Sequence, residues 1–144
     1  MALSDATTGF GTTLSVDVGA GPVVIAEIIE ISELPSGDRE LYETTSMDSV
    51  DYKEFKKHPL KEGREISVSL NYVLGSETAE TLKAADDALE ALPCIFTAPQ
   101  GDQAFTFTGR ALLYGLSRMN PMSERRTQEI TMKPVEDFVE AEVV

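Results

Sequence analysis

One histidine and one cysteine are all that this 144-residue chain offers to imidazole or thiol chemistry. His58 sits in the polar run Lys56-Lys57-His58-Pro59, and Cys94 lies far along the chain between Pro93 and Ile95. A catalytic triad or a zinc site needs several such groups converging. Cys94 is therefore expected as a buried core thiol rather than a nucleophile. Gly9-Phe10-Gly11 has the look of a phosphate-loop fragment, but no strand precedes it and no helix follows, so the backbone cradle is missing. Asp48 and Asp51 lack the ligand spacing and turn glycine of a calcium loop. With 25 Asp and Glu residues in the chain, any carboxylate pair suited to glycoside chemistry is weakly specified. The residue types predict no enzyme, no metal and no cofactor.

The elements that would hold a site are set by a length fit for one domain, 1–144, with a sizeable core. Lys and Arg total 12 against 25 acidic residues, a formal charge of −13. A chain so acidic repels nucleic-acid phosphates instead of gripping them. One cysteine excludes an internal disulfide. The N-terminal residues MALSDATTGF show no basic segment followed by an apolar one, and the longest apolar runs, such as 111–114, are too short to span a bilayer. These features predict a soluble product made in the cytoplasm with no membrane partner.

Residues 1–11 read as an arm leading into a strand at Thr12–Val18, which a Gly-Ala-Gly-Pro turn closes. Val23–Ser32 is the strongest apolar strand. Over Glu65–Tyr72 the alternation is clean: Ile66, Val68, Leu70 and Tyr72 face one way, and Glu65, Ser67, Ser69 and Asn71 the other. A helix is predicted over Glu77–Leu92, capped by Ser76 and ended by Pro93, with Leu82, Ala85, Leu89 and Leu92 on one stripe. Strands at Cys94–Ala98, Ala104–Ser117 and Arg126–Lys133 follow. In the last of these Thr127, Glu129, Thr131 and Lys133 oppose Ile130 and Met132. The sum is a mainly β, mostly antiparallel domain with one packed helix and no internal repeat.

Two segments read as interaction devices. Residues 43–64 form a long connection between strands, and loops of that length are functional or disordered. This one carries Met47, Val50, Tyr52, Phe55 and Leu60, together with Lys53, Lys56, Lys57, Lys61 and Arg64, five of the 12 basic residues. A loop folded over its own core is the plain alternative; ordering against a neighbouring subunit explains both the apolar and the basic content. The acidic run at 135–144 reads as a solvated tail, with Glu136 to Glu142 a possible landing place for those lysines.

Gly9-Phe10-Gly11-Thr12-Thr13-Leu14 resembles the N-terminal entry of the major tail tube proteins of long-tailed (siphophage-type) bacteriophages. Thr45-Ser46-Met47-Asp48-Ser49, Phe55 and Leu60-Lys61-Glu62-Gly63-Arg64-Glu65-Ile66 resemble that family's central loop and strand start, with Arg64 inserted between Gly63 and Glu65. The helix after Asn71-Tyr72, and then Phe107-Thr108-Gly109-Arg110-Ala111, keep the family order, so the resemblance covers residues 9–134. It implies an antiparallel β-sandwich or half-barrel with one flanking α-helix. It also implies assembly into six-membered rings stacked as a tail tube in the virion. DNA would pass through the lumen without specific binding, and tape-measure and tail-completion or tail-tip proteins would be partners. On this reading residues 43–64 bridge subunits, and Glu65, Ser67, Ser69, Asn71, Thr127, Glu129 and Thr131 are candidates for the lumen face. A related tube from a contractile tail, gene-transfer particle or secretion apparatus shares the same physics. A monomeric β-barrel carrier and an acidic-site hydrolase are the competitors from other classes.

Overall fold

The computed structural model describes residues 11–47 and 51–143. Thr13–Asp17 (β1) ends where the Asp17 carboxylate accepts the N–H groups of Gly19 and Gly21 at 2.8 and 3.3 Å. Both glycines have positive φ, 118° and 106°, a conformation that costs a side-chain-bearing residue and costs glycine little. The chain thereby reverses into Pro22–Val24 (β2). The single strand expected over Val23–Ser32 is in fact two. Glu27 takes φ 64° and breaks the pleat, so Ile28–Ile31 (β3) leaves β2 and joins another part of the sheet.

The long connection is more ordered than its sequence suggested. Gly37–Asp38 (β4), Leu41–Glu43 (β5), Phe55–Lys57 (β6) and Glu62–Gly63 (β7) make two short antiparallel ladders, β4 with β7 and β5 with β6. Ile66–Asn71 (β8) follows with the expected alternation, its burial strictly buried-then-intermediate along six residues.

The helix Glu77–Asp87 (α1) is shorter than predicted. Ser76 caps it by accepting the Ala79 N–H at 3.2 Å, and Glu77 and Glu80 sit at the positive end of the helix dipole. Its other end carries Asp86 and Asp87 and no cation, the unfavourable arrangement for that dipole. Ala88 is already extended, Leu89 is exposed, and Leu92 opens the next strand, so neither leucine lies on the buried stripe.

Leu92–Gln100 (β9), Gln103–Met119 (β10), Thr127–Pro134 (β11) and Val139–Glu142 (β12) complete the chain. The segment expected as a solvated acidic tail is therefore a strand. β12 pairs with β10, tied further by Val135 N–H to Arg110 O at 3.1 Å and Val143 N–H to Ala104 O at 2.8 Å. Phe138 holds it down: its ring lies over Gly109, where a Cβ would come within 2.6 Å, and stands 6.1 Å from the Phe96 ring.

One eight-stranded antiparallel sheet runs β2-β1-β9-β10-β11-β8-β3, with β12 beside β10. The two end strands β2 and β3 are joined by residues 25–27 alone. A link so short spans at most about 14 Å, so the sheet must curl until its ends nearly meet. The result is the half-barrel form of the expected fold. Inside it lie Leu14, Val16, Phe96, Val68, Ile130 and Met132, with Leu82 and Ala85 of α1 packed among them. Each such side chain contributes about 1.5–3 kcal/mol by leaving water.

Candidate assembly surfaces

The outer face of the curled sheet is built by register. Ser67 stands opposite Thr131, Ser69 opposite Glu129 and Asn71 opposite Thr127. Directly opposed residues of antiparallel strands project to the same side. Because their neighbours Ile66, Val68, Leu70, Ile130 and Met132 are buried, these six must face outward. Glu65, just before β8, joins them through the Tyr114 hydroxyl, which donates to its carboxylate at 2.7 Å. The structure thus brings all seven residues singled out as a lumen face onto one continuous surface.

Sequence reading missed three members of that surface. Tyr114 is paired with Thr131, Ser117 with Glu129 and Met119 with Thr127. The register slips between Tyr114 and Ser117, where Gly115 takes φ 69°, so the alternation along β10 breaks. That glycine was the available signal. At the other end of the face Lys133 donates to Glu62 at 2.7 Å. This hydrogen bond, reinforced by the charges, holds Glu62 below its ordinary value and Lys133 above. The bond to Glu65 likewise raises Tyr114. The surface keeps Glu65 and Glu129 without an ion pair among the described residues, so its balance is acidic.

The second surface is the ribbon β5–β6. Leu41 pairs with Lys57, Tyr42 with Lys56 and Glu43 with Phe55, and every one of these six residues is exposed. Met47, Tyr52 and Leu60 stand clear of the protein as well. A loop folded over its own core would have buried them. Val50 lies outside the described residues, as do Asp48 and Gly9-Phe10. Lys53, Lys56 and Lys57 form no ion pair among the described residues.

The stem that carries the ribbon is tied down. Gly63 packs its α-carbon against the Pro134 carbonyl, a contact closed to any larger residue. Arg64, the residue that departs from the tail-tube pattern, lies 3.6 Å from both Glu33 and Asp38. Lys61 pairs with Asp137 of its own chain at 3.2 Å. Lys61 and the acidic run near Glu136, expected to meet across subunits, thus engage each other within one copy. Both lie at the same end of the molecule. His58, the lone histidine, closes a local turn by accepting the Leu60 N–H at Nδ1, 3.2 Å. Cys94 is fully buried, and desolvation pushes its thiol up to about 12, far from a thiolate nucleophile.

The molecule is therefore two-ended. The ribbon stem meets β8 at Glu62–Glu65, while the opposite end of β8, about 20 Å away, carries the 72–75 connection and the β10–β11 loop. At that far end Val73, Leu74, Met119 and Met122 are exposed. Arg118 is anchored there over the Tyr72 ring at 4.6 Å.

No protein-family model matches the chain, and no curated protein matches it. Solved structures do. A chain in the tail of an empty gene transfer agent (GTA) particle with C6 symmetry superposes with a TM-score of 0.75 at 14% identity, covering 94% of this chain and 99% of that one. A chain in the virion of the native GTA particle gives 0.74 at 15%, over 94% and 99%. One from the six-fold symmetrised baseplate of the anti-feeding prophage (AFP) gives 0.72 at 8%, over 96% and 97%. The chain thus shares its mainly β fold, with one helix, with chains of these tail, virion and baseplate structures. These relatives in fold are parts of assembled particles, not enzymes.

Proposed function

We propose that the chain is a tube subunit: copies close into six-membered rings, the rings stack, and the outer face of the sheet lines a conduit for DNA. The carrying observation is the pairing of two unlike surfaces on one frame. One is a broad, wetted, acidic-leaning sheet face; the other is a projecting ribbon with bare Leu41, Tyr42, Met47, Tyr52, Phe55 and Leu60. An acidic wall gives phosphates nothing to hold. An exposed apolar ribbon has no use on a monomer and marks an association site.

The two-ended shape adds that stacking is head to tail. The ribbon of one ring reaches the far end of the next, where Val73, Leu74 and Met122 are bare. Apolar contacts supply the affinity, while Lys53, Lys56 and Lys57 set register and approach rate against the acidic surroundings. The C6 symmetry of the GTA tail supports six copies per ring. The GTA matches favour a tail of gene-transfer type over the siphophage tube first suggested by the motifs, and tape-measure and tail-tip proteins would be the further partners. Electron microscopy of the concentrated protein tests the reading: hollow tubes of uniform diameter are expected, and a species that stays monomeric at high concentration overturns it.

A further inference from the structure

Resting on the ring reading, we infer that the bend at residues 58–61 is a pH-sensitive hinge. Uncharged His58 holds the ribbon at its stacking angle, and proton uptake releases it. The ribbon and its stem are one long hairpin with a mismatch in the middle. Asp38 pairs with Glu62 in the stem, and Leu41 with Lys57 in the ribbon. One strand crosses that interval with two residues, 39 and 40, and the other with four, 58–61. Surplus residues on one strand bend a ladder and increase its twist. The angle at which the bare apolar side chains leave the barrel is therefore set at this bend.

The surplus leaves main-chain groups that neither ladder serves, and two side chains take them up. Arg39 donates to the carbonyls of His58 and Pro59 at 3.3 and 2.8 Å. His58 accepts the Leu60 N–H at Nδ1, 3.2 Å, while its own main-chain N–H donates to the Glu40 carbonyl at 2.7 Å. Pro59 has no N–H to offer. A guanidinium keeps its charge, but an imidazole gains its proton between about pH 8 and about pH 5. Nδ1 then carries hydrogen and only donates. The Leu60 N–H loses its acceptor and faces another N–H, beside the fixed charge of Arg39. A cavity of about 290 Å³ in the bend is lined by His58 and Leu60 together with Asp38, Arg39, Glu40, Lys61 and Glu62. Lys57 ends the outer ladder next to it. Lys61 is paired with Asp137, Asp38 lies by Arg64, and Glu62 is bonded to Lys133. Glu40 has no ion pair among the described residues, so an imidazolium turns toward it and away from Leu60. Leu60 is 74% exposed and belongs to the apolar ring-to-ring contact, so its release weakens stacking directly.

The test compares the full chain with His58→Asn, because an asparagine side-chain carbonyl accepts the N–H two residues on whatever the pH. Stacking is followed by light scattering at about pH 7.5 and about pH 5.5, either side of the imidazole range. The parent should stack about tenfold or more slowly at the lower pH, and His58→Asn should change by less than about twofold. Protonation of carboxylates acts on both chains alike. Equal slowing in both, or in neither, would overturn the role of His58 while leaving the tube reading intact. A second measurement needs no tubes: amide NMR of the free subunit through the same pH range. The Leu60 amide and the outer-ladder amides of Tyr42 and Lys56 should shift in step with the His58 ring, and stay still in His58→Asn. A Leu60 amide indifferent to the ring's proton refutes the hinge. A parent chain that never assembles removes the ring reading, and the NMR titration then decides the hinge by itself.

Discussion

β11 and the β5–β6 ribbon are both short antiparallel strands, and both mix apolar with charged residues. In β11 the apolar residues fall on every second position, so Ile130 and Met132 are fully buried while Glu129 stays in water. In the ribbon Leu41, Tyr42 and Phe55 fall on both faces, and neither face is covered. A two-stranded ribbon is marginal on its own in water. The sheet stores stability, and the ribbon stores unspent apolar surface. Side-chain period separates the two roles, since overall hydrophobicity is similar.

Substitutions should therefore act on different observables in the two regions. Phe96→Ala should lower unfolding free energy by about 3–5 kcal/mol in urea, because it empties a fully buried site that also supports Phe138. A loss below about 1 kcal/mol would mean that the interior is not packed as described. Gly109→Ala should cost about 1–3 kcal/mol by pushing on the Phe138 ring. Faster hydrogen exchange along β12 is the accompanying signature; unchanged exchange there would show that Phe138 does not anchor the strand.

In the ribbon the division reverses. Phe55→Ala should leave unfolding within about 0.5 kcal/mol of the parent yet abolish stacking, read as rings without tubes in micrographs. Lys56→Glu with Lys57→Glu should slow stacking without abolishing it, measured by light scattering. Tubes growing at the parent rate from both variants would dissolve the distinction between the regions. The buried thiol of the sheet adds a dependence on alkaline pH. The Cys94 value is raised from 9.0 to about 12, so its stabilisation is complete below pH 9 and lost as pH climbs toward 12. Cys94→Ala should flatten that alkaline decline in thermal unfolding.

Strand identity, the alternating face at Ser67–Asn71 and the helix start were legible in sequence because each has a local cause: period two, or a capping serine. What was not legible depends on distant partners. Glu27 breaks its strand where the Ala26 N–H reaches the Thr78 hydroxyl at 3.1 Å, a contact between residues far apart in sequence. The acidic C-terminal segment looks like a tail until Gly109 leaves a place for Phe138. The ribbon stem was hidden because Gly37–Asp38 and Glu62–Gly63 have no strand propensity; position against Pro134 and the ion pairs of Arg64 and Lys133 hold them. Tyr114 and Met119 were missed on the polar face because a bulge at Gly115 shifts the count.

Ile31 and Val68 are opposed partners in the sheet. The whole ribbon and its stem are thus strung between two points that already touch. Apart from Ile66, buried in the core, and Gly63, packed on Pro134, the residues between them are, topologically, an interchangeable cassette. Lengthening it adds only about 0.6 kcal/mol of closure entropy per doubling, and the barrel beneath is indifferent to what is inserted. On the proposed tube reading, exchanging that one segment changes the reach and chemistry of the ring-to-ring contact while the core residues outside it stay as they are.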